Sequence, residues 1–215
     1  MFEKLLSDKF GEYQAFLRRR MVEHQIIARG INDPPVIEVL KKVKRHLFVE
    51  EHLRTRAYED QPLPSAGGRL VPRPYIAALL AASLSLKGTE KVLELGAGAG
   101  YLSAILSGLA KEVFAVDISL SLSAETASLL AAEGCSNIAF RTGDETLGWP
   151  EKAPYDRILI SFPAAARPDA LLKQLSDSGF LAVPLEESGE FRLALYSADG
   201  RKVKETPLPA ADFSH

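Results

Sequence analysis

The 215-residue chain carries one cysteine, Cys135, so no disulfide can close within it. That fits a reducing compartment. Its four histidines, His24, His46, His52 and His215, have no metal-site spacing. The longest apolar stretch, Ile76 to Leu86, is too short to cross a bilayer. The opening segment MFEKLLSDKF lacks the apolar core and small-residue cleavage site of a secretory signal. A cytoplasmic protein with no membrane partner is therefore expected. Net charge is also scarce: the formal balance is −2, so no global attraction to nucleic acid is expected, though a local patch is compatible with it. Repeats and low-complexity tracts are absent. With 47% apolar and 25% charged residues, the composition is that of a globular domain.

What the chain does have is centred on Lys91 to Asp117, KVLELGAGAGYLSAILSGLAKEVFAVD. A short apolar run, Val92 to Leu95, leads into glycines at alternate positions, Gly96, Gly98 and Gly100. A helical apolar pattern follows, with Tyr101, Leu102, Ile105, Leu106 and Leu109. A second run, Val113 to Val116, ends in Asp117, 17 residues after Gly100. This order predicts a βαβ unit, with a tight ligand-facing turn and an acid at the next strand tip placed to hold ribose hydroxyls. The glycines are spaced G-x-G-x-G, not the G-x-G-x-x-G of a dinucleotide fingerprint, which argues against a dehydrogenase.

The stretch E-L-G-A-G-A-G-Y resembles the first motif of S-adenosylmethionine-dependent methyltransferases. The resemblance implies a doubly wound, mostly parallel, seven-stranded α/β sheet ending in an antiparallel hairpin. It places the glycine turn under the methionine part of the cofactor and Asp117 at the ribose. Glu94, Gly96, Ala97, Gly98, Gly100, Asp117 and Ile118 are the cofactor positions in this unit. A third strand, Asn137 to Phe140, leads to Gly143, Asp144 and Glu145. In related methyltransferases the acid of this Gly-Asp pair lies near the adenine amine, and a further glycine usually stands where Glu145 is.

Residues 3–29 read as one helix closed by Gly30, and Asn32-Asp33-Pro34-Pro35 starts a second. Arg18-Arg19-Arg20 fits either a solvated, ion-paired face or an anchor for an acidic peptide or phosphate. His46 reads as structural. Residues 1–64 are expected to form a helical extension or lid, and 65–215 the cofactor-binding domain.

The blocks MVEHQIIARGI, DPPVIEVLKKVKRHLFV, AYEDQPLP, Pro74-Tyr75-Ile76, VLELGAGAGY and GWPEKAPYDRILI resemble protein-L-isoaspartate O-methyltransferases in order and spacing. The resemblance covers about residues 21–185. It implies a cytosolic repair enzyme that methylates the free carboxylate of isoaspartyl residues in aged peptides. The ester then collapses to a succinimide, which can reopen to aspartate.

One segment departs from the family. Its loop of the form G-x-G-x-T-I-S-x-P supplies hydroxyls where cofactor and acceptor carboxylate meet. Here the loop is Ser65-Ala66-Gly67-Gly68-Arg69-Leu70-Val71-Pro72-Arg73-Pro74. Leu70 replaces the threonine and Pro72 the serine, removing a hydroxyl and a backbone N–H at one position. Two cations, Arg69 and Arg73, stand beside it. A carboxylate nucleophile, with a solution pKa of roughly 4, is already ionised at neutral pH and needs no base. In-line positioning of the reactants alone supplies up to ~7–11 kcal/mol. Losing one charge-assisted hydrogen bond costs ~1.5–3 kcal/mol, and an arginine can grip a carboxylate through two bonds. Arg69 and Arg73 are thus the candidates for acceptor orientation. A different acceptor, or a binding protein that has lost the reaction, also fits the altered loop. The sequence leaves the oligomeric state open.

Toward the end, helix Leu120–Glu133 with Ser119, Ser121 and Ser123 in its first turn is expected, the serines acting as cap and surface residues. Tyr155 to Ile160 reads as a fourth strand with Ser161-Phe162-Pro163 at its tip. The tip lacks the Asn/Asp-Pro-Pro-Tyr/Phe motif of amino-group methyltransferases, and Ser161 is a weak substitute hydroxyl. Trp149 reads as packing. A helix Pro168–Leu175, a turn at Ser178-Gly179, a strand Phe180–Leu185 and a hairpin at Asp199-Gly200 complete the expectation.

Overall fold

A computed structural model describes residues 2–65, 69–118 and 120–208. Residues Ala66, Gly67 and Gly68 of the altered loop, the expected cap Ser119 and residues 209–215 lie outside them, as do the side chains of Ser121 and Ser123.

Helix α1 (Phe2–Met21) does not run to residue 29. A wide π-turn, Val22–Ile26, and a tight 3-10 turn, Ile27–Arg29, follow it. Met21, Val22 and Ile26 are all buried, and the change of winding carries these closely spaced apolar residues onto one core. Gly30 closes the segment at φ 91°. Asp33 caps α2 (Pro34–Lys42) by accepting from the Val36 amide at 3.2 Å. The two-residue strands β1 (Leu63–Pro64) and β2 (Leu70–Val71) pair antiparallel, so Leu70 and Val71 of the altered loop form one strand of a small hairpin. It leads directly into α3 (Pro74–Ser83).

The main sheet comprises β3 (Lys91–Leu95), β4 (Glu112–Asp117), β5 (Ile138–Thr142), β6 (Tyr155–Ile160), β7 (Leu175–Glu187), β8 (Glu190–Ser197) and β9 (Lys202–Leu208). Its order is β5-β4-β3-β6-β7-β8-β9, parallel through β7 and antiparallel for the last two pairings. The expected seven-stranded α/β sheet with a terminal hairpin is the one found. Helix α4 (Tyr101–Ser107) joins β3 to β4, α5 (Leu120–Ala132) joins β4 to β5, and the short α6 (Asp169–Leu172) precedes β7.

Side-chain alternation along β3 gives the sheet two apolar faces. Val92 joins the cluster formed with α2, α3 and α4, which also holds Met21 and Ile26. Leu93 and Leu95 join the opposite cluster with Ile158, Ile160 and Leu171. Trp149 packs edge-on against Phe114 beside this second cluster, as expected. Ser178-Gly179 is not a turn: β7 runs through it, with the register shifting opposite Tyr155 and Arg157. A Cβ on Gly179 would sit 2.9 Å from the Tyr155 carbonyl, so this irregularity requires glycine. The expected helix at 168–175 shrinks to α6 because β7 claims Leu175.

Candidate active site

The carboxyl ends of β3, β4 and β6 are tied together at the glycine turn. The Gly96 amide donates to Val116 O at 3.0 Å, and the Ser161 amide donates to Leu95 O at 3.0 Å. Gly143 N donates to Asp117 O at 3.0 Å, bringing the end of β5 into the same edge.

The three glycines are needed for three different reasons. A Cβ on Gly96 would lie 2.6 Å from both Phe162 Cδ1 and Ser161 Oγ. On Gly100 it would lie 2.4 Å from Thr126 Cγ2 of α5. Those two let neighbouring elements close in. On Gly98 the nearest atoms would be Gly96 O at 3.8 Å and Arg69 Cβ at 3.9 Å, so the side chain would stand in the open cleft. Gly98 also donates its amide to Asp117 Oδ2 at 2.8 Å. Asp117 is buried, and Arg69 Nη2 reaches its Oδ1 at 3.3 Å.

Gly96, Gly98, Asp117, Arg69 and Phe162 line one cavity of about 650 Å³. Among the expected cofactor residues, Gly96, Ala97, Gly98, Asp117 and Glu145 line it. Arg69, Leu70 and Pro72 of the altered loop form another part of its wall. Gly100, Ile118 and Gly143 are not part of the lining. Neither is Arg73, whose backbone instead caps α3.

Glu94, expected at the cofactor, is fully buried behind the turn. Alternation turns it to the same side as Val92, where Ser103 Oγ of α4 donates to it at 2.5 Å. Burial pushes its pKa up to about 7; Asp117 adds to the rise and the Ser103 bond opposes it. Asp144, expected near the adenine, instead caps the 3-10 turn Glu145–Leu147, accepting from Thr146 N at 2.8 Å and Thr146 Oγ1 at 2.6 Å. An Asp two residues before a threonine satisfies itself locally, as Asp does at turns. Ser161 is not a free hydroxyl: its Oγ lies 2.6 Å from Gly96 O and 3.0 Å from Leu95 O, and it locks the turn. His46 is structural, its Nδ1 2.9 Å from Tyr58 Oη and its pKa pulled to about 4, chiefly by burial. Within the arginine run, Arg18 donates to Lys41 O at 2.6 Å, and Arg20 lies over Phe16.

Sequence reasoning missed Arg45. It is completely buried and donates to the carbonyls of Ala57, Gln61, Val71 and Pro72. Burial pulls its pKa down to about 10, so it remains charged at neutral pH. Among the described residues no carboxylate stands within ion-pair distance of it. This cation therefore anchors the altered loop from behind. Only its place in the block RHLFV hinted at it; an arginine between apolar residues usually reads as surface.

A glycine turn at the end of one strand, a buried acid at the end of the next and a sheet of this order are the arrangement of the methyltransferase class. The family model "Protein-L-isoaspartate(D-aspartate) O-methyltransferase (PCMT)" matches residues 17–211. Protein-L-isoaspartate O-methyltransferase 1 of Syntrophobacter fumaroxidans is 41% identical over 196 residues, spanning 91% of this chain and 92% of its own. The protein-L-isoaspartate O-methyltransferase 2 of Marinobacter nauticus is 43% identical over 182 residues, covering 85% and 83%. The chain belongs to the protein-L-isoaspartate O-methyltransferase family. The fold also matches a Plasmodium falciparum structure titled as a putative member of that family in complex with S-adenosyl-L-homocysteine. Its TM-score is 0.74 at 20% identity, with 89% of this chain and 94% of that one covered.

The cleft has the properties such a cofactor requires. Its volume falls in the range of small-molecule sites, about 300–1,000 Å³. Two buried polar atoms of its lining, Tyr101 Oη and Glu145 Oε1, have no partner among the described residues. Buried polar atoms left in that state are usually completed by ligand or water.

Proposed function

We propose that this chain is an S-adenosyl-L-methionine-dependent methyltransferase that esterifies the carboxylate of L-isoaspartyl residues in damaged peptides and proteins, working in the cytoplasm. One observation supports this above the others: the glycine turn with Asp117 and the altered loop with Arg69 and Pro72 share a single cavity. Donor and acceptor can therefore meet without a domain movement.

When bound, the cofactor supplies a methyl group on a sulfonium, which passes to a carboxylate oxygen as the carbon–sulfur bond breaks to a neutral thioether. No proton changes hands, so no residue has to act as acid or base. The protein's task is placement. Asp117, Gly96, Ala97 and Gly98 hold the nucleoside. Asp117 receives the ribose hydroxyls, its carboxylate fixed by the Gly98 amide. Arg69 is the acceptor-orienting cation, because it lines the cavity and Arg73 does not. Leu70, Ile76, Leu80 and Phe162 keep the reacting carboxylate from bulk water. Arg45, holding the Pro72 carbonyl at 2.9 Å, fixes the wall on which the acceptor rests.

Incubation with an isoaspartyl peptide and methyl-labelled cofactor tests the reading. An alkali-labile methyl ester on that peptide, absent from its aspartyl twin, is the expected product. Pro72 and Leu70 give weight to a second reading, a methyltransferase for another acceptor. Cofactor turnover with a cell extract, without any ester on the isoaspartyl peptide, would establish that one instead.

A further inference from the structure

We propose that Glu145, rather than the neighbouring Asp144, is the carboxylate that reads the base of the bound nucleoside, accepting a hydrogen bond from the exocyclic amine of adenine. The inference rests on the cofactor assignment above and deepens it.

The sheet edge supplies the ruler. Adjacent strands lie about 4.8 Å apart. The glycine turn sits at the end of β3, Asp117 at the end of β4, and Glu145 just past the end of β5, whose Thr142 pairs with Asp117. From glycine turn to Glu145 the edge therefore steps across two strand spacings, roughly 10 Å. With the amino-acid end of the cofactor over the glycines and the sugar at Asp117, the base falls at β5. An ionised carboxylate only accepts hydrogen bonds. Adenine offers one donor group, the amine; its ring nitrogens on that edge are acceptors.

The two acids at this strand end are in different states. Asp144 is exposed and occupied by both donors of Thr146, which hold its pKa below the ordinary value. It faces a separate hollow with Arg141 and Gly148. Glu145 lines the main cavity. Its Oε1 is buried without a partner among the described residues. Burial and the neighbouring Asp117 raise its pKa, and Arg69 opposes that rise. A donor from the ligand would complete the carboxylate.

Binding calorimetry with S-adenosyl-L-homocysteine and its 6-desamino analogue, in which purine replaces adenine, tests the assignment on wild type, Glu145→Gln, Glu145→Ala and Asp144→Asn. The analogue carries hydrogen in place of the amine and keeps its ring nitrogens as acceptors, so it offers the carboxylate no donor. Wild type should bind it about 100-fold more weakly. Glu145→Ala, which removes the acceptor, should bring the two ligands within about threefold, and Glu145→Gln, whose amide oxygen accepts without a charge, should narrow the gap to about tenfold. Asp144→Asn should keep the full discrimination. Thermal melts check that each variant is folded. Equal binding of both ligands by wild type overturns the proposal, as does loss of discrimination in the Asp144 variant or its full retention in both Glu145 variants. Failure of wild type to bind either ligand overturns the cofactor assignment itself, a separate result.

Discussion

The glycine turn and the altered loop face each other across one cavity, yet they are built differently. Hydrogen bonds fix the turn to the strands on either side, from Gly96 N to Val116 O and from Ser161 Oγ to Gly96 O, and two of its glycines are filled against Phe162 and Thr126. The loop rests on a two-residue strand pairing, the bond from Ser65 N to Arg69 O, the Arg69–Asp117 contact and the guanidinium of Arg45 beneath it. The cofactor wall is specified by packing, where few alternatives fit. The acceptor wall is specified by side-chain chemistry on a short hairpin, where a serine can become a proline while the fold persists.

The largest effect is expected where that contrast is most one-sided. Arg45→Ala removes the donor for four carbonyls, those of Ala57 and Val71 in buried surroundings, and should cost ~4 kcal/mol in urea denaturation. Arg45→Lys keeps the charge but not the reach and should cost about half as much. A loss below ~1 kcal/mol would mean that the loop is held by something else.

Next come the glycines. Gly100→Ala drives a Cβ into α5 at φ 86° and should cost ~2–4 kcal/mol of stability. Gly98→Ala, with open space before it at φ 53°, should cost only ~1 kcal/mol. It should nevertheless weaken S-adenosyl-L-homocysteine about tenfold by calorimetry, because the new methyl enters the cleft. Equal stability losses would erase the distinction between packing glycine and cleft glycine.

Pro72→Ser sharpens the acceptor side. It restores a hydroxyl and an N–H on the cavity wall and should raise the rate with an isoaspartyl peptide about tenfold, at a stability change within ~1 kcal/mol. A rate that stays flat would show that the arginine has fully replaced the serine.

The smallest effect is a matter of pH. Glu94 has a folded pKa near 7, above its unfolded value, so the folded state binds more protons between about pH 4.5 and 7. Its contribution is complete below the unfolded pKa and is lost as pH rises through 7. Glu94→Gln keeps a neutral acceptor for Ser103 and should flatten that decline, melting higher than wild type at pH 8 and close to it at pH 5. Parallel melting curves for the two proteins across this range would disprove the neutral, buried carboxyl.

Much of this was legible in the sequence, and the rest was not for identifiable reasons. The β3–α4–β4 unit could be read because glycine spacing, apolar period and the terminal acid all agree. The Asp33 cap and the Asp199-Gly200 hairpin were legible as local chemistry, and Gly200 sits at φ 80° there. The end of α1 was misread because a π-turn keeps a helical apolar pattern. Glu94 and Asp144 were assigned by motif position, whereas strand alternation and a local threonine decide where they point. Arg45 was invisible because its partners are carbonyls, which leave no mark in a sequence.

The most direct test of the central claim, that Arg69 orients the acceptor where the loop has no serine, is steady-state kinetics on an isoaspartyl peptide with wild type, Arg69→Gln and Arg73→Gln. Arg69→Gln should raise the acceptor KM about 10- to 100-fold, well beyond its effect on the affinity for S-adenosyl-L-homocysteine through the lost contact with Asp117, and Arg73→Gln should stay within about threefold on both. An unchanged acceptor KM in Arg69→Gln, or the whole loss falling on Arg73→Gln, would contradict it.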